Sequence, residues 1–197
     1  MIIKGDGINK GCLKGMEDVI RNDIEKAYNL IEKANGDIFN IWINHVLFTW
    51  QWWLALTLAV IPWVFWILFR KKESTYRLLC AGFFVVIFAL ISDFVGVTLG
   101  AWHYFYEVSP FLPAFQPWDL TLLPVSVMFM LQYKPNSNPY LKAVVFAGIT
   151  AFIAEPLAQW VGFYEPKHWE HIYSFLVLTV IYLIAHYINN REEFAKV

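Results

Sequence analysis

The chain has 197 residues, of which 58% are hydrophobic, 19% aromatic and only 16% charged, with a formal net charge of −1. Soluble domains carry about 25% charged residues, so this many apolar side chains exceed what one small globular core can hide. The composition excludes a disordered chain and a disulfide-rich scaffold. The lack of a net positive charge excludes a nucleic-acid-binding protein. It predicts a small polytopic membrane protein.

Residues 1–44 are predicted to form an extracytoplasmic, amphipathic N-terminal segment. Apolar residues recur at helical spacing from Met16 to Ile31, with charged residues between them, which predicts a helix of about five turns. Asn35-Gly36 is expected to end this helix, and Asp37 to cap the next one. The helix could pack on the membrane surface or on the bundle, or it could dock a partner.

Residues 45–197 are predicted to form an all-α transmembrane bundle. No Lys or Arg lies between Lys33 and Arg70, and this gap holds an apolar run long enough to cross a hydrocarbon core about 30 Å thick. Continuous apolar runs favour helices over barrel strands, because a lone segment in lipid must satisfy its own backbone groups. About five spans are expected, at residues 46–69, 78–99, 118–133, 140–163 and 172–189.

Loop charges predict the orientation of this bundle. The first loop, Arg70–Arg77, carries four basic residues, and the second, Gly100–Trp118, carries none. Lys134 lies in the third loop, and the C-terminal tail carries Arg191 and Lys196. The positive-inside rule therefore places loops one and three and the C-terminus in the cytoplasm, and the N-terminus outside.

The second and fourth spans indicate an internal duplication. At an offset of 62 residues, Asp93 aligns with Glu155 and Gly100 with Gly162, together with several apolar positions. Both units enter the membrane from the same side. We therefore expect a parallel duplication of a two-helix unit, with a pseudo-two-fold axis near the membrane normal.

Acidic residues inside the apolar spans indicate where a functional site lies. A carboxylate in a span costs about 2.5–3.5 kcal/mol on insertion scales and usually faces the bundle interior. Asp93 and Glu155 lie at equivalent depths, and Asp119 begins the third span. Pro156 is expected to kink the helix beside Glu155. Asp93, Asp119 and Glu155 are the candidate catalytic residues, although Asp119 could instead be a helix N-cap.

Two apposed carboxylates in a low-dielectric site do not readily both ionise, so such a pair could act as a proton donor or carrier. His and carboxylate ligands could also hold a divalent metal. However, the spacing Glu165-x-x-His168-x-x-His171 is not a recognised zinc signature. No metal and no cofactor are therefore predicted.

The loop between the second and third spans is the most distinctive stretch, with seven aromatic residues and three prolines between Trp102 and Asp119. Its prolines oppose helix formation, and its rings place it at the water–lipid boundary. It could close over the acids as a lid, or it could only anchor the helices. The predicted ligand-binding residues on this side of the bundle are Trp102, His103, Tyr104, Trp118, Trp169 and His171.

Several of these segments resemble a family of small uncharacterised multipass membrane proteins of spore-forming bacilli and clostridia. The resemblance covers roughly residues 77–189 and implies a bacterial plasma membrane, but no activity. The segments that carry it are Ser92-Asp93, Trp102–Tyr104, Pro113–Asp119, Ala154-Glu155-Pro156 and Trp169–His171.

The same region is also similar to the small membrane lycopene cyclases, which carry an acid within one helix, a Trp/Tyr loop and a Pro-x-Glu-Glu motif. Asp93 stands at the first acid, and Pro117-Trp118-Asp119-Leu120 stands at the motif, with Leu120 in place of its second acid. This resemblance implies the alternative function, an acid-catalysed membrane enzyme acting on an isoprenoid-like substrate.

The leading prediction is an integral membrane protein whose outer-leaflet acidic and aromatic pocket binds a small or lipid-like ligand, or which serves in a membrane complex. The expected partners are the lipid bilayer, a lipid-like small molecule and further copies of the chain in a homo-oligomer. Nucleic acid is not expected as a partner.

Overall fold

The computed structural model describes residues 6–191, with their side chains from residue 14 onward. These residues are almost entirely helical, which confirms the all-α class. The chain divides into two compact units that meet between Asn44 and His45. The first five and the last six residues, which the predicted segments 1–44 and 45–197 include, lie outside the described part.

The N-terminal unit is one long helix, α1 (Asp6–Ile41), followed by a π-helical turn at Trp42–Val46. The prediction that Asn35-Gly36 ends the helix and that Asp37 caps a new one is wrong, because α1 runs through all three residues. A glycine C-cap requires a left-handed backbone, and Gly36 does not adopt one.

The second unit contains the remaining helices. A short 3-10 turn at Lys72–Ser74 links the first two of them, and π-helical turns at Trp118–Leu122 and Thr150–Ala154 lead into two others. The helices are α2 (Trp50–Phe69), α3 (Thr75–Thr98), α4 (Leu123–Gln132), α5 (Pro139–Ile149), α6 (Glu155–Val161) and α7 (His171–Asn189).

The described part of this unit holds four helices long and apolar enough to cross a membrane: Trp50–Phe69, Lys72–Thr98, Pro139–Val161 and His171–Asn189. A shorter apolar helix covers Trp118–Gln132. Large hydrophobic side chains point outward from these helices, which suits lipid rather than water. The chain is an integral membrane protein.

The core of the bundle lies where α3 packs against α4 and α7, and where α7 packs against α5. Small residues such as Ala81 and Ala147 are fully buried there and let the helix backbones approach closely. Val85, Met128 and Tyr182 fill the space between them.

Helix α2 is attached to the π-helical turn before α4 by two hydrogen bonds. The indole Nε1 of Trp63 donates to the carbonyl of Leu120 at 2.9 Å, and Thr121 Oγ1 donates to the carbonyl of Ala59 at 2.8 Å. Such bonds satisfy polar groups that lipid cannot.

Two short strands, which the sequence did not predict, join the ends of the repeated helices. β1 (Trp102–Tyr104) pairs antiparallel with β2 (Tyr164–Pro166), and His103 lies opposite Glu165. The flanking bonds are also related by the offset of 62 residues. Phe105 N donates to Phe163 O at 3.2 Å, and Lys167 N donates to Ala101 O at 2.9 Å.

The glycines before the two strands match as well. Gly100 and Gly162 both adopt left-handed backbones, with φ of 68° and 88°. Glycine turns and strands therefore recur at an offset of 62 residues, and the helices before them, which end at Thr98 and Val161, match it to within one residue, as a duplicated two-helix unit requires. The first span, α2, has no counterpart in the repeat.

Candidate functional site

A cavity of about 110 Å³ lies at the strand-bearing end of the bundle, between α3, α6, α7, the π-helical turn before α4 and the two strands. All three predicted acids line it: Asp93, Asp119 and Glu155. The predicted aromatic residues Trp102, Tyr104, Trp118 and Trp169 line it too.

The two predicted histidines differ in their placement. His171 Nδ1 lies 2.8 Å from Glu155 Oε2, so it contacts the site through that carboxyl group. His103 is exposed, because alternate residues of a strand face opposite sides and its neighbours Trp102 and Tyr104 point inward. His103 therefore does not line the cavity.

Asp93 ties the loop between α3 and the π-helical turn before α4 to α3. Its Oδ1 accepts a hydrogen bond from Tyr104 Oη at 3.0 Å, and its Oδ2 accepts one from the backbone N–H of Phe115 at 3.2 Å. The side chain is buried, so both bonds are shielded from water. This loop thus packs against the acid, as a lid over the predicted site would.

Asp119 is the most deeply buried of the three acids, with 1% of its surface exposed. Its carboxyl group lies within hydrogen-bonding reach of that of Asp93. Its Oδ2 atom has no hydrogen-bond partner. The alternative that Asp119 is an N-cap is wrong, because it lies inside the π-helical turn, and the cap position falls on Pro117.

Glu155 belongs to a second network on the opposite wall. Besides His171, Ser174 lies near its carboxyl group and lines the same cavity. Ser174 Oγ in turn accepts a bond from Trp169 Nε1 at 2.8 Å. One repeat therefore supplies the carboxyl pair, and the other supplies a carboxyl group in contact with a histidine.

Two prolines shape the backbone beside these acids. Pro124 and Pro156 each come two residues after the end of a π-helical turn. Proline has no N–H to donate to the preceding turn, which favours a local widening of the helix. The irregularity predicted beside Glu155 is therefore a π-helical turn. The equivalent turn before Pro124 contains Asp119.

The groups around the cavity but outside the spans are poorly solvated. Burial, followed by the negative charge of Asp93, raises the pKa of Glu107 to about 8. Burial and then the charges of Asp93 and Asp119 raise the pKa of Tyr104 well above its usual range. Burial also raises the pKa of Tyr164.

Several site residues were not predicted from the sequence. Phe115 donates its backbone N–H to Asp93, and a backbone contribution leaves no sequence signal. Tyr164 lines the cavity at the position that matches Trp102 at the offset of 62 residues, so the duplication could have identified it. Ser174 lies one helical turn after His171, and a helical-wheel argument could have placed it.

Among the side chains of residues 14–191, no three His, Cys, Asp or Glu groups converge as metal ligands do. Glu165, from the spacing considered above, forms an ion pair with Lys167 at 2.7 Å.

No family model, no curated protein and no solved structure matches this chain.

Proposed function

We propose that this cavity binds the polar end of a small lipid-like molecule. The observation that carries the proposal is a pair of buried polar atoms, Asp119 Oδ2 and Trp102 Nε1, which form no hydrogen bond in the structure although both residues lie beside the carboxyl group of Asp93. Both residues line the same cavity. Leaving such a group unpaired costs about 1–3 kcal/mol, so native proteins usually provide it with a partner.

A hydroxyl group suits both kinds of atom, since it donates to a carboxylate and accepts from an indole N–H. The cavity, at about 110 Å³, is smaller than an engineered cavity of about 150 Å³ that holds benzene. It therefore accommodates only a head of a few non-hydrogen atoms. The rest of the ligand would lie against the apolar outer faces of the helices.

The loop charges support an extracytoplasmic position for this site. The cavity lies at the end that carries the residues 100–118, where no Lys or Arg occurs, whereas the basic loop Arg70–Arg77 joins the opposite ends of α2 and α3. In this proposal the protein lies in a bacterial cell membrane, as the small multipass proteins it resembles do, with the N-terminus outside and the C-terminus in the cytoplasm.

Native mass spectrometry of the protein purified in mild detergent tests the binding. The wild type is expected to retain a lipid-like species at one per chain. Trp102→Phe removes the indole donor and should lower retention about 3–10-fold, the equivalent of one hydrogen bond. Trp160→Phe is the matched control, because Trp160 is 84% exposed. A wild type without bound species, or equal retention in Trp102→Phe, would overturn the proposal.

The second candidate function is acid catalysis on an isoprenoid-like substrate, the activity of the lycopene cyclases that the region resembles. It is favoured by the adjacent carboxyl groups of Asp93 and Asp119, since two such groups share a proton when buried together. The aromatic rings that line the cavity could stabilise a carbocation.

Protonation followed by loss of a proton would leave the mass of the substrate unchanged. An acyclic carotenoid incubated with the protein in nanodiscs should then yield a cyclic isomer that Asp119→Asn does not form. If the wild type forms no isomer, this second candidate fails and the binding proposal stands unaffected.

A further inference from the structure

The apolar side chains of α1 follow a seven-residue repeat. The tetrapeptide Ile24-Glu25-Lys26-Ala27 recurs seven residues later as Ile31-Glu32-Lys33-Ala34. The apolar residues of this repeat are separated by alternating steps of four and three residues, so they form a narrow apolar seam with an average spacing of 3.5 residues. This period is that of a left-handed coiled coil. The seam comprises Ile20, Ile24, Ala27, Ile31, Ala34, Ile38 and Ile41.

Among the described residues, the side chains of this seam are exposed. Every side chain from residue 14 to residue 41 is exposed, and the five isoleucines of the seam are each 50–56% exposed. Most helical stability in proteins comes from packing of the apolar face. Gly15 and Gly36 also lower the intrinsic helix propensity of α1. A partner on the seam would supply the missing packing.

The charges of α1 argue against an anionic membrane surface as that partner. Helices that lie in the interface usually carry a polar face rich in Lys and Arg. Residues 14–41 of α1 hold six acidic and four basic residues, a net charge of −2. The acids are Glu17, Asp18, Asp23, Glu25, Glu32 and Asp37, and the bases are Lys14, Arg21, Lys26 and Lys33.

A second copy of the same helix is complementary to this seam. The seven-residue repeat has two core positions. One holds isoleucine at residues 24, 31 and 38, and the other holds alanine at residues 27 and 34. In an antiparallel pair, each core position of one helix packs against the other core position of its partner. Ala27 therefore meets Ile38 of the partner copy, and Ala34 meets Ile31 of the partner copy. Large residues then fill the space left by small ones in successive layers.

We propose that α1 is a self-association helix, which pairs through this seam with α1 of a second copy in a two-stranded coiled coil. The inference is independent of the cavity and of its ligand. It gives the N-terminal unit a role in assembling the membrane protein as a dimer with closed two-fold symmetry.

The test is the mass of the full-length protein in mild detergent, measured by light scattering over a dilution series. We expect the wild type to have the mass of two chains. Ile31→Asp, in the seam, should give one chain. Asn29→Asp is the matched control, since it adds the same group two residues away on the outward face and should leave the dimer intact.

A second variant distinguishes the loss of apolar contacts at the seam from the loss of helix content in α1. Ile31→Ala raises helix propensity but removes seam volume, so the dimer should dissociate at protein concentrations at least tenfold higher than for the wild type. If only helix content mattered, this variant would associate more tightly than the wild type, and the proposal would be overturned.

The remaining outcomes identify other occupants of the seam. A wild type of one chain, or equal masses for Ile31→Asp and Asn29→Asp, would overturn the proposal. So would a membrane-surface position, detected in nanodiscs when a lipid-soluble quencher reaches a fluorophore attached to Ala27→Cys but not one attached to Asn29→Cys. For this labelling Cys12 and Cys80 are first replaced by serine.

Discussion

His103 on β1 lies opposite Glu165 on β2, and the two residues occupy equivalent positions 62 residues apart in the repeated halves of the bundle. An antiparallel strand pair has a local two-fold axis through its centre. The register thus places the axis that relates the two halves between these two residues. The cavity below them is lined by both halves, with the carboxyl pair on one wall and Glu155 with His171 on the other.

The repeat makes a prediction about its two glycine turns. Gly100→Ala and Gly162→Ala should each destabilise the protein by about 1–2 kcal/mol, because a left-handed backbone is strained for any residue with a Cβ atom. Thermal unfolding in detergent measures this. Gly148→Ala is the control, since Gly148 is helical with open space for a Cβ atom, and it should stabilise slightly. Unchanged midpoints for the first two variants would contradict the assigned turns.

A second prediction concerns the contact between α3 and the indole ring of the cavity. A Cβ atom on Gly96 would lie 2.1 Å from ring carbons of Trp102. Gly96→Ala should therefore displace this ring, destabilise the protein by about 1–3 kcal/mol and reduce retention of the bound species.

The matched control is Gly82→Ala, on the same helix, where the new atom would meet the flexible end of Met128 at 2.7 Å. Because that side chain can move aside, Gly82→Ala should cost less and leave retention unchanged. Equal effects of the two variants on retention would indicate that Trp102 plays no part in binding.

A third prediction is a pH dependence that arises at Glu107. The pKa of this group is raised to about 8 in the folded protein, by burial and then by the charge of Asp93, from an ordinary value of 4.5. Between these two values the folded state binds a proton that the unfolded chain has released. The free energy of unfolding should therefore fall as the pH rises from about 4.5 to about 8.

Glu107→Gln removes this proton uptake, so its unfolding midpoint should fall less steeply over the same range. Glu165→Gln, which alters an exposed acid on β2, should follow the wild-type profile. Parallel profiles for the wild type and Glu107→Gln would show that Glu107 does not carry the effect.

Hydropathy predicted the helices closely, because their lengths are set by the membrane. The predicted span 140–163 corresponds to the helix Pro139–Val161, and 172–189 to His171–Asn189. The predicted start at residue 46 lies before that of α2, because Thr49 caps this helix by accepting a hydrogen bond from Trp52 N. Apolarity gives no signal for such a cap.

The site was predictable only in part, and the reason is physical. Acids inside an apolar span are costly, so Asp93, Asp119 and Glu155 stood out, and all three line one cavity. His103 was predicted to bind the ligand but does not line the cavity, because its strand turns it outward. That strand depends on pairing with β2, which is distant in sequence. Phe115 contributes a backbone group, which sequence does not distinguish.

The most direct test of the central claim is an experimental density map of the protein in lipid nanodiscs, at a resolution that separates water from an organic ligand. The account predicts continuous density that begins within hydrogen-bonding distance of Asp119 Oδ2 and Trp102 Nε1 and extends out of the cavity toward lipid. Isolated water-sized peaks that satisfy both atoms, with no continuous density, would contradict it.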